Sequence, residues 1–302
     1  MQTSEIPVIE TTNLTKYYGK NRGIENINLS INKGEIFGFI GPNGSGKSTT
    51  IRTLLGLLFP SNGSGKIFNM DIVKDSKEIK KKVGFMPSDI NYYDKMDAEE
   101  LLKYSARIYG VNADNKIKEL AEIFELDLKK EIFDLSMGNK KKVSILQSLI
   151  HKPELLILDE PTNGLDPLMQ SRFFNILFEE NNKGTTIFFS SHTLSVVQKM
   201  CKRIAIIKNG NIIKIEDIET MQKKLFKKVN IDFEEDIEEK ELNMAGVKYL
   251  EIDKNKNAKF LFSGDINFLI DKLNILNITD ITIEEPSLEE VFMHYYENGS
   301  NT

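Results

Sequence analysis

The sequence has little of several features that would assign it quickly. It holds a single cysteine, Cys201, in 302 residues, so no internal disulfide framework can form, and we expect a small buried apolar residue there. Its longest apolar runs, Leu54–Phe59 and Leu155–Leu158, are far shorter than the roughly 20 residues that span a bilayer. The first ten residues have no apolar segment typical of a secretory signal. These absences predict a protein of the reducing cytoplasm, with any membrane role exercised through a partner.

The sequence also lacks a general basic excess. The formal net charge is −5, which argues against a nucleic-acid partner. The charge is uneven, because residues 217–302 carry 10 Lys and Arg against 19 Asp and Glu, whereas residues 1–216 carry 30 against 26. We therefore predict a main domain over 1–216 and a small acidic accessory domain over 217–302.

Apolar runs alternate with helical patterns over the first 216 residues. This order is typical of an α/β fold with a mostly parallel sheet. The predicted buried strands are Ile36–Ile40, Leu155–Asp159, Thr185–Ser190 and Arg203–Lys208. Between the first two, residues 88–152 are predicted to be mostly helical and to form an inserted helical subdomain.

The acidic C-terminal part has a different pattern. It contains three short β-like runs, Val229–Phe233, Val247–Ile252 and Lys259–Phe262. A helix between these and the chain end should place Ile266, Leu269, Ile270 and Leu273 on one face. Ser287 and Glu290 predict a capping box that opens a last helix. We expect a separate small α+β domain.

The strongest motif is a glycine-rich loop between a predicted strand and a predicted helix. It matches G-x-x-x-x-G-K-S/T and consists of Gly41, Pro42, Asn43, Gly44, Ser45, Gly46, Lys47, Ser48 and Thr49. Glycines let successive backbone N–H groups converge on phosphate oxygens, and the helix N-terminus that follows attracts the same anion. Lys47 would reach the β- and γ-phosphates, and the Ser48 hydroxyl would coordinate Mg²⁺. The motif predicts a nucleoside triphosphate site.

A second motif is the buried strand that ends in Asp159 and Glu160. Such a strand delivers its carboxylate to the edge of the sheet where the phosphate loop also lies. Asp159 would hold Mg²⁺, and Glu160, pointing elsewhere because side chains alternate along an extended segment, would polarise the attacking water.

Taken together, these motifs resemble the nucleotide-binding subunit of ATP-binding cassette (ABC) transporters over about residues 6–216. The segment Leu135–Asn139 is similar to the signature LSGGQ, Pro161–Asp166 to the D-loop, and Ser190–His192 to the segment with the switch histidine. The resemblance implies a P-loop NTPase core, ATP and Mg²⁺ as cofactors, and ATP hydrolysis by Glu160, His192 and Lys47.

The resemblance also implies an assembly. Ser136 would cap the helix that follows, and in this family that helix end faces the γ-phosphate held by the opposite subunit, with the Gly138 N–H completing the anion site. Two cassettes, identical or paralogous, would thus close head to tail over ATP. Tyr18 resembles the aromatic residue that stacks on adenine, although the adjacent Tyr17 is an alternative.

Three positions depart from the family pattern. Ser88 stands where a glutamine usually touches Mg²⁺; its shorter hydroxyl would reach a metal-bound water. Met137 and Asn139 replace a signature glycine and glutamine, whereas Ser136 and Gly138 are retained.

The expected function is that of an ATPase that powers a separate transmembrane permease, on the inner face of the cell membrane. The C-terminal part, with Pro286–Phe292, is similar to the extension of export-type cassettes, which implies export of a drug, antibiotic or peptide. Two alternatives stay open at this point: a regulatory module that binds ATP with little hydrolysis, and a cassette that acts on ribosomes.

Overall fold

A computed structural model describes residues 7–90, 92, 95–220, 227–253 and 256–284. The chain divides into two compact units, Met1–Ile215 and Glu216–Thr302. The predicted last helix at Ser287 and the segment Pro286–Phe292 lie outside the described residues.

The first unit is built on a six-stranded sheet. Its strands are β3 (Ile36–Ile40), β6 (Val83–Met86), β7 (Leu155–Asp159), β8 (Thr186–Ser191), β9 (Arg203–Lys208) and β10 (Asn211–Asp217), in the order β10-β9-β3-β8-β7-β6. Neighbours from β9 to β6 pair in parallel, which confirms the predicted α/β fold. Every residue of β3, β7 and β8 is buried, as continuous apolar runs indicate for central parallel strands.

A four-stranded antiparallel sheet in the same unit was not predicted. Its order is β2-β1-β4-β5, with β1 at Ile9–Tyr18, β2 at Asn21–Ile31, β4 at Asn62–Ile67 and β5 at Met70–Asp71. The pairing of β1 with β2 shifts register three times, and each irregularity breaks the two-residue alternation that identifies a strand in a sequence. This sheet matters for the site because β1 ends at Tyr18.

Seven helices are described in the first unit. They are α1 (Lys47–Leu54), α2 (Ser76–Lys82), α3 (Ala98–Ile108), α4 (Asp114–Ile123), α5 (Met137–Leu149), α6 (Pro167–Asn182) and α7 (Leu194–Met200). Helices α3, α4 and α5 pack on one another and make up most of the predicted helical insertion. Ser136 caps α5, as expected, because its Oγ accepts a hydrogen bond from the Asn139 amide at 3.3 Å. Within the described residues, no helix combines the length and apolar character needed to cross a bilayer.

The second unit contains an antiparallel sheet of order β12-β13-β11-β14. Its elements are β11 (Lys227–Phe233), α8 (Glu239–Leu242), β12 (Val247–Asp253), β13 (Asn257–Phe262), α9 (Ile266–Leu273) and β14 (Ile278–Glu284). One face of the sheet forms a core with Leu269 and Leu273 of α9. Of the four residues predicted to share one face of that helix, Leu269 and Leu273 are buried, whereas Ile266 and Ile270 are exposed.

Candidate nucleotide-binding site

The glycine-rich loop leaves β3 at the carboxyl edge of the parallel sheet and enters α1 at Lys47. Two of its glycines are required by the geometry. Gly46 has φ 111°, which side-chain-bearing residues rarely adopt. A Cβ on Gly41 would lie 2.4 Å from the Ile207 carbonyl oxygen. The loop backbone at Gly41 therefore lies close to the carboxyl end of β9.

Lys47 is buried at the centre of this loop. Its Nζ donates hydrogen bonds to the carbonyl oxygens of Gly41 at 2.6 Å and Pro42 at 3.1 Å. The same Nζ lies 3.1 Å from Glu160 Oε1, in an ion pair whose side chains are only 5% and 8% exposed. The loop carbonyls thus fix the position of the Lys47 ammonium, and the Glu160 carboxylate after β7 neutralises its charge.

Glu160 connects the loop to the switch histidine. Its second carboxylate oxygen, Oε2, lies 2.8 Å from His192 Nδ1. We predicted that Glu160 would point away from Asp159 because side chains alternate along an extended segment. This reason is wrong, because β7 ends at Asp159 and Glu160 adopts a left-handed conformation with φ 49° instead of continuing the strand. This turn directs the Glu160 carboxylate to Lys47 and His192, while His192, at the end of β8, keeps a half-exposed ring.

Ser190 is a residue of this site that the sequence interpretation missed as a contributor. Its Oγ donates to Asp159 Oδ1 at 2.6 Å and accepts a hydrogen bond from the Glu160 amide at 3.1 Å. The register of β7 with β8 places Asp159 opposite Ser190, and this pairing cannot be read from either strand alone. One hydroxyl therefore positions both acidic residues.

We expect Ser190→Ala to lower ATP hydrolysis by about tenfold or more, because residues that orient metal ligands typically carry effects of this size. The loss should appear in kcat measured on the purified protein. Ser191→Ala is the matched control, since that hydroxyl bonds within its own turn, to Thr193. Equal rates for Ser190→Ala and the control would contradict the assigned role.

A cleft of about 380 Å³ opens above the loop. It is lined by Tyr18, Arg22, Gly23, Asn43, Gly44, Gly46, Lys47, Ser48, Thr49, Ser88, Glu160 and Asn163. Six of the nine predicted loop residues thus meet Tyr18, Ser88 and Glu160 in one cavity, and Arg22 was not anticipated. Of the other predicted site residues, Gly41, Pro42, Ser45, Asp159 and His192 do not line it. Ser45 belongs to the loop, and its buried Oγ has no hydrogen-bond partner among the described residues.

Tyr18 and Tyr17 have different surroundings. The Tyr17 hydroxyl donates to Glu25 Oε1 at 2.8 Å, and this hydrogen bond raises the pKa of Tyr17. The Tyr18 ring is 46% exposed at the cleft, and a Cβ on Gly23 would come within 2.8 Å of it. Of the two aromatic residues, Tyr18 is the one with a ring face available beside the loop.

The oxygen groups at the cleft suit a hard divalent cation. Ser48 and Ser88 contribute hydroxyls, and Asp159 lies buried at the adjacent strand end. Within the described parts of the chain, no cluster of three or more His, Cys, Asp or Glu could hold a metal alone. Mg²⁺ is commonly held by one or two protein oxygens together with substrate phosphates, so this small set fits Mg²⁺ bound with a nucleotide.

Ser136 and Gly138 do not line the cleft. Ser136 is exposed at the start of α5. A Cβ on Gly138 would lie 3.0 Å from the Gly164 carbonyl oxygen, so the signature segment borders the D-loop of its own chain. The serine-capped helix end is therefore separate from the cleft at the glycine-rich loop.

Comparison with known proteins gives consistent matches. The family described as ABC transporter matches residues 24–163. The bacitracin transport ATP-binding protein BcrA of Bacillus licheniformis is 34% identical, with 97% of this chain and 98% of that protein covered. The linearmycin resistance ATP-binding protein LnrL of Bacillus subtilis is 36% identical over 69% of this chain and 68% of its own length.

Solved structures agree with these relatives. The ATP-binding subunit of an ABC transporter matches with a TM-score of 0.68 and 28% identity, covering 71% of this chain and 92% of that one. An ATP-binding cassette solved as a dimer in a post-hydrolysis state with ADP and Pi matches with a TM-score of 0.64 and 25% identity, covering 70% and 98%. The matches favour a transporter ATPase over the regulatory and ribosomal alternatives.

Proposed function

The chain belongs to the ABC transporter family as an ATP-binding, ATP-hydrolysing cassette, and we propose that it closes over ATP with a second cassette to drive an export permease. The observation that carries the catalytic part is the buried Glu160 carboxylate, which bridges Lys47 and His192 beside the phosphate loop. Lys47 would supply a cation for the terminal phosphate, and the Glu160 carboxylate would supply a base for the attacking water.

In the proposed complex, different residues would contact the phosphates, the adenine and Mg²⁺. The loop Gly41–Thr49 would surround the phosphates with backbone N–H groups, and Lys47 would exchange Glu160 for the β- and γ-phosphates. Tyr18 would stack on the adenine. Ser48 and Asp159 would hold Mg²⁺, with Ser88 touching a water of its shell. When bound, Mg²⁺ would neutralise the negative charge that develops on the phosphates.

Glu160 and His192 would act on the attacking water. The Glu160 carboxylate accepts the proton of the water as its oxygen attacks the γ-phosphorus, and ADP leaves with the β–γ bridging oxygen. His192 would hold the water and a γ-phosphate oxygen from the opposite side. Because Ser190 fixes the Glu160 amide, the carboxylate keeps its place when Lys47 moves to the phosphate.

The separation of the serine-capped helix end from the glycine-rich loop supports the proposed dimer. The Ser136 hydroxyl, the Gly138 amide and the positive end of α5 would face the γ-phosphate bound by the opposite cassette. Closure would depend on ATP, and hydrolysis would weaken it. The two relatives are a bacitracin transport ATP-binding protein and a linearmycin resistance ATP-binding protein. We therefore propose a permease partner at the inner face of the membrane and an antibiotic, drug or peptide as cargo.

Cysteine trapping tests the dimer. We expect cysteines engineered next to Ser136 and next to Gly44 to form an intermolecular disulfide whose yield rises several-fold with ATP in the hydrolysis-deficient Glu160→Gln background. The native Cys201 is buried, and burial raises the pKa of its thiol, so it should contribute little background. Each single-cysteine variant serves as the control. A disulfide that forms only within one chain, or whose yield ignores ATP, would refute the sandwich.

A further inference from the structure

Arg22 is a charged residue of the cleft to which the proposed mechanism gives no role. Among the described residues that line the cleft, it is one of three that carry a charge, together with Lys47 and Glu160. Those two neutralise each other in their ion pair of 3.1 Å. Arg22 therefore supplies a positive charge that no carboxylate of the described cleft lining neutralises.

The Arg22 guanidinium is held only loosely. Its Nη1 lies 3.7 Å from Glu25 Oε2, beyond hydrogen-bond distance, and the two side chains are 41% and 35% exposed. Glu25 is shared, because its Oε1 accepts the hydrogen bond from the Tyr17 hydroxyl at 2.8 Å. Within the described residues, the guanidinium donates no hydrogen bond. Its five N–H donors are therefore available to a ligand in the cleft.

The backbone beside Arg22 is joined to the glycine-rich loop through Gly210, in the turn between β9 and β10. The Glu25 amide donates to the Gly210 carbonyl oxygen at 2.8 Å, and the Gly210 amide donates to the Ser45 carbonyl oxygen, also at 2.8 Å. A Cβ on Gly210 would lie 2.9 Å from the Gly23 carbonyl oxygen and 3.4 Å from Arg22 Nε. The guanidinium therefore extends from a backbone whose position relative to the loop is fixed.

Arg22 lies at the Tyr18 end of the cleft. In the pairing of β1 with β2 it stands opposite Tyr17, the neighbour of Tyr18, and the next residue, Gly23, packs against the Tyr18 ring. In the proposed complex the adenine lies on Tyr18, and the β- and γ-phosphates lie at Lys47. The α-phosphate is the anionic group of ATP between these two points, so a cation beside Tyr18 is placed to meet it.

We propose that Arg22 is a second phosphate-binding cation of this site, whose guanidinium turns from Glu25 to the α-phosphate of the bound nucleotide. The inference rests on the proposed function and extends its nucleotide site. A guanidinium can donate two parallel hydrogen bonds to phosphate oxygens, which suits a group with two free oxygens. Because ATP and ADP share the α-phosphate, Arg22 would hold the product as well as the substrate, with no need of a γ-phosphate or a second cassette.

The test compares the binding of ADP with that of an ADP analogue in which sulfur replaces one non-bridging α-phosphate oxygen. Divalent metal is left out, because Mg²⁺ prefers oxygen and would add its own effect. We expect Arg22→Met to bind ADP about tenfold more weakly, since a charge-assisted hydrogen bond to phosphate is lost. At least one diastereomer of the analogue should bind the unmodified chain about threefold more weakly than ADP, and this penalty should disappear in Arg22→Met, because contacting groups are not additive. Arg22→Lys should recover part of the ADP affinity.

Lys20→Met is the matched control. It removes the same charge from an exposed residue of the turn between β1 and β2 that does not line the cleft, so its ADP affinity and its sulfur penalty should stay within twofold of the unmodified chain. An ADP affinity of Arg22→Met equal to that of the control would overturn the proposal. A weaker affinity with an undiminished sulfur penalty would also overturn it, because Arg22 would then act without touching the α-phosphate. These measurements involve neither hydrolysis nor a second cassette, so the proposed function, tested with Glu160→Gln and by cysteine trapping, can stand when this inference fails.

Discussion

Replacing Glu160 with glutamine should reduce ATP hydrolysis at least about a hundredfold, the scale expected when a general base is lost. The amide is nearly the same size as the carboxylate but cannot take the proton of the attacking water. Its neighbours are fixed independently, since Ser190 holds the Glu160 amide nitrogen and the loop carbonyls hold Lys47. The substitution therefore removes the chemistry and keeps the geometry. Steady-state phosphate release measures the loss.

The same variant should bind nucleotide more tightly, and this is a less obvious consequence. Glu160 and Lys47 form a buried ion pair of 3.1 Å, and we expect this pair to break when Lys47 contacts a phosphate. A neutral side chain removes this competition and the repulsion between a carboxylate and the phosphates. We expect about a tenfold gain in affinity, or roughly 1.4 kcal/mol, for ADP as well as ATP. ADP matters because a block of hydrolysis alone cannot alter its affinity.

The matched control lies at the opposite end of the same strand. Glu154 precedes β7 and pairs with Lys82 at 3.0 Å in an exposed ion pair. Glu154→Gln should leave both hydrolysis and ADP affinity within twofold of the unmodified protein, because exposed pairs contribute little. Rapid hydrolysis by Glu160→Gln would show that Glu160 is not the general base. An unchanged ADP affinity would show that the ion pair with Lys47 does not compete with nucleotide binding.

The parts of this site that the sequence predicts are those in which local pattern and fold agree. Strands β3 and β7 were predicted with the bounds that the structure gives, because a continuous apolar run between glycine or acidic residues leaves little choice. The helix cap at Ser136 was also predicted, because it depends only on residues that are close in the sequence.

The parts that the sequence did not predict depend on pairing between distant segments. The role of Ser190 arises from its register opposite Asp159, and the antiparallel sheet is hidden by irregular pairing in β1 and β2. The left-handed turn at Glu160 has no signal, since glutamate rarely adopts it and only the surrounding contacts hold it.

Lys47→Ala should have the largest effect on nucleotide binding. Lys47 is the buried cation at the loop, and charge-assisted hydrogen bonds to phosphate contribute about 1.5–3 kcal/mol each. We expect ATP affinity to fall about a hundredfold and hydrolysis to become undetectable. Lys66→Ala, which removes an exposed lysine of β4, is the control and should bind like the unmodified protein.

The free protein should also be destabilised by Lys47→Ala, because the buried Glu160 carboxylate loses the partner at 3.1 Å and, among the described residues, keeps His192. Removing one member of a buried ion pair costs about 3 kcal/mol. The double variant Lys47→Ala with Glu160→Gln should recover part of this stability, since no unpaired charge remains, but none of the ATP affinity. Thermal unfolding of the four proteins gives the coupling between the two residues, which we expect to be at least about 1 kcal/mol. Additive effects on stability would show that Lys47 and Glu160 do not interact in the nucleotide-free protein, and ATP would then have no ion pair to displace.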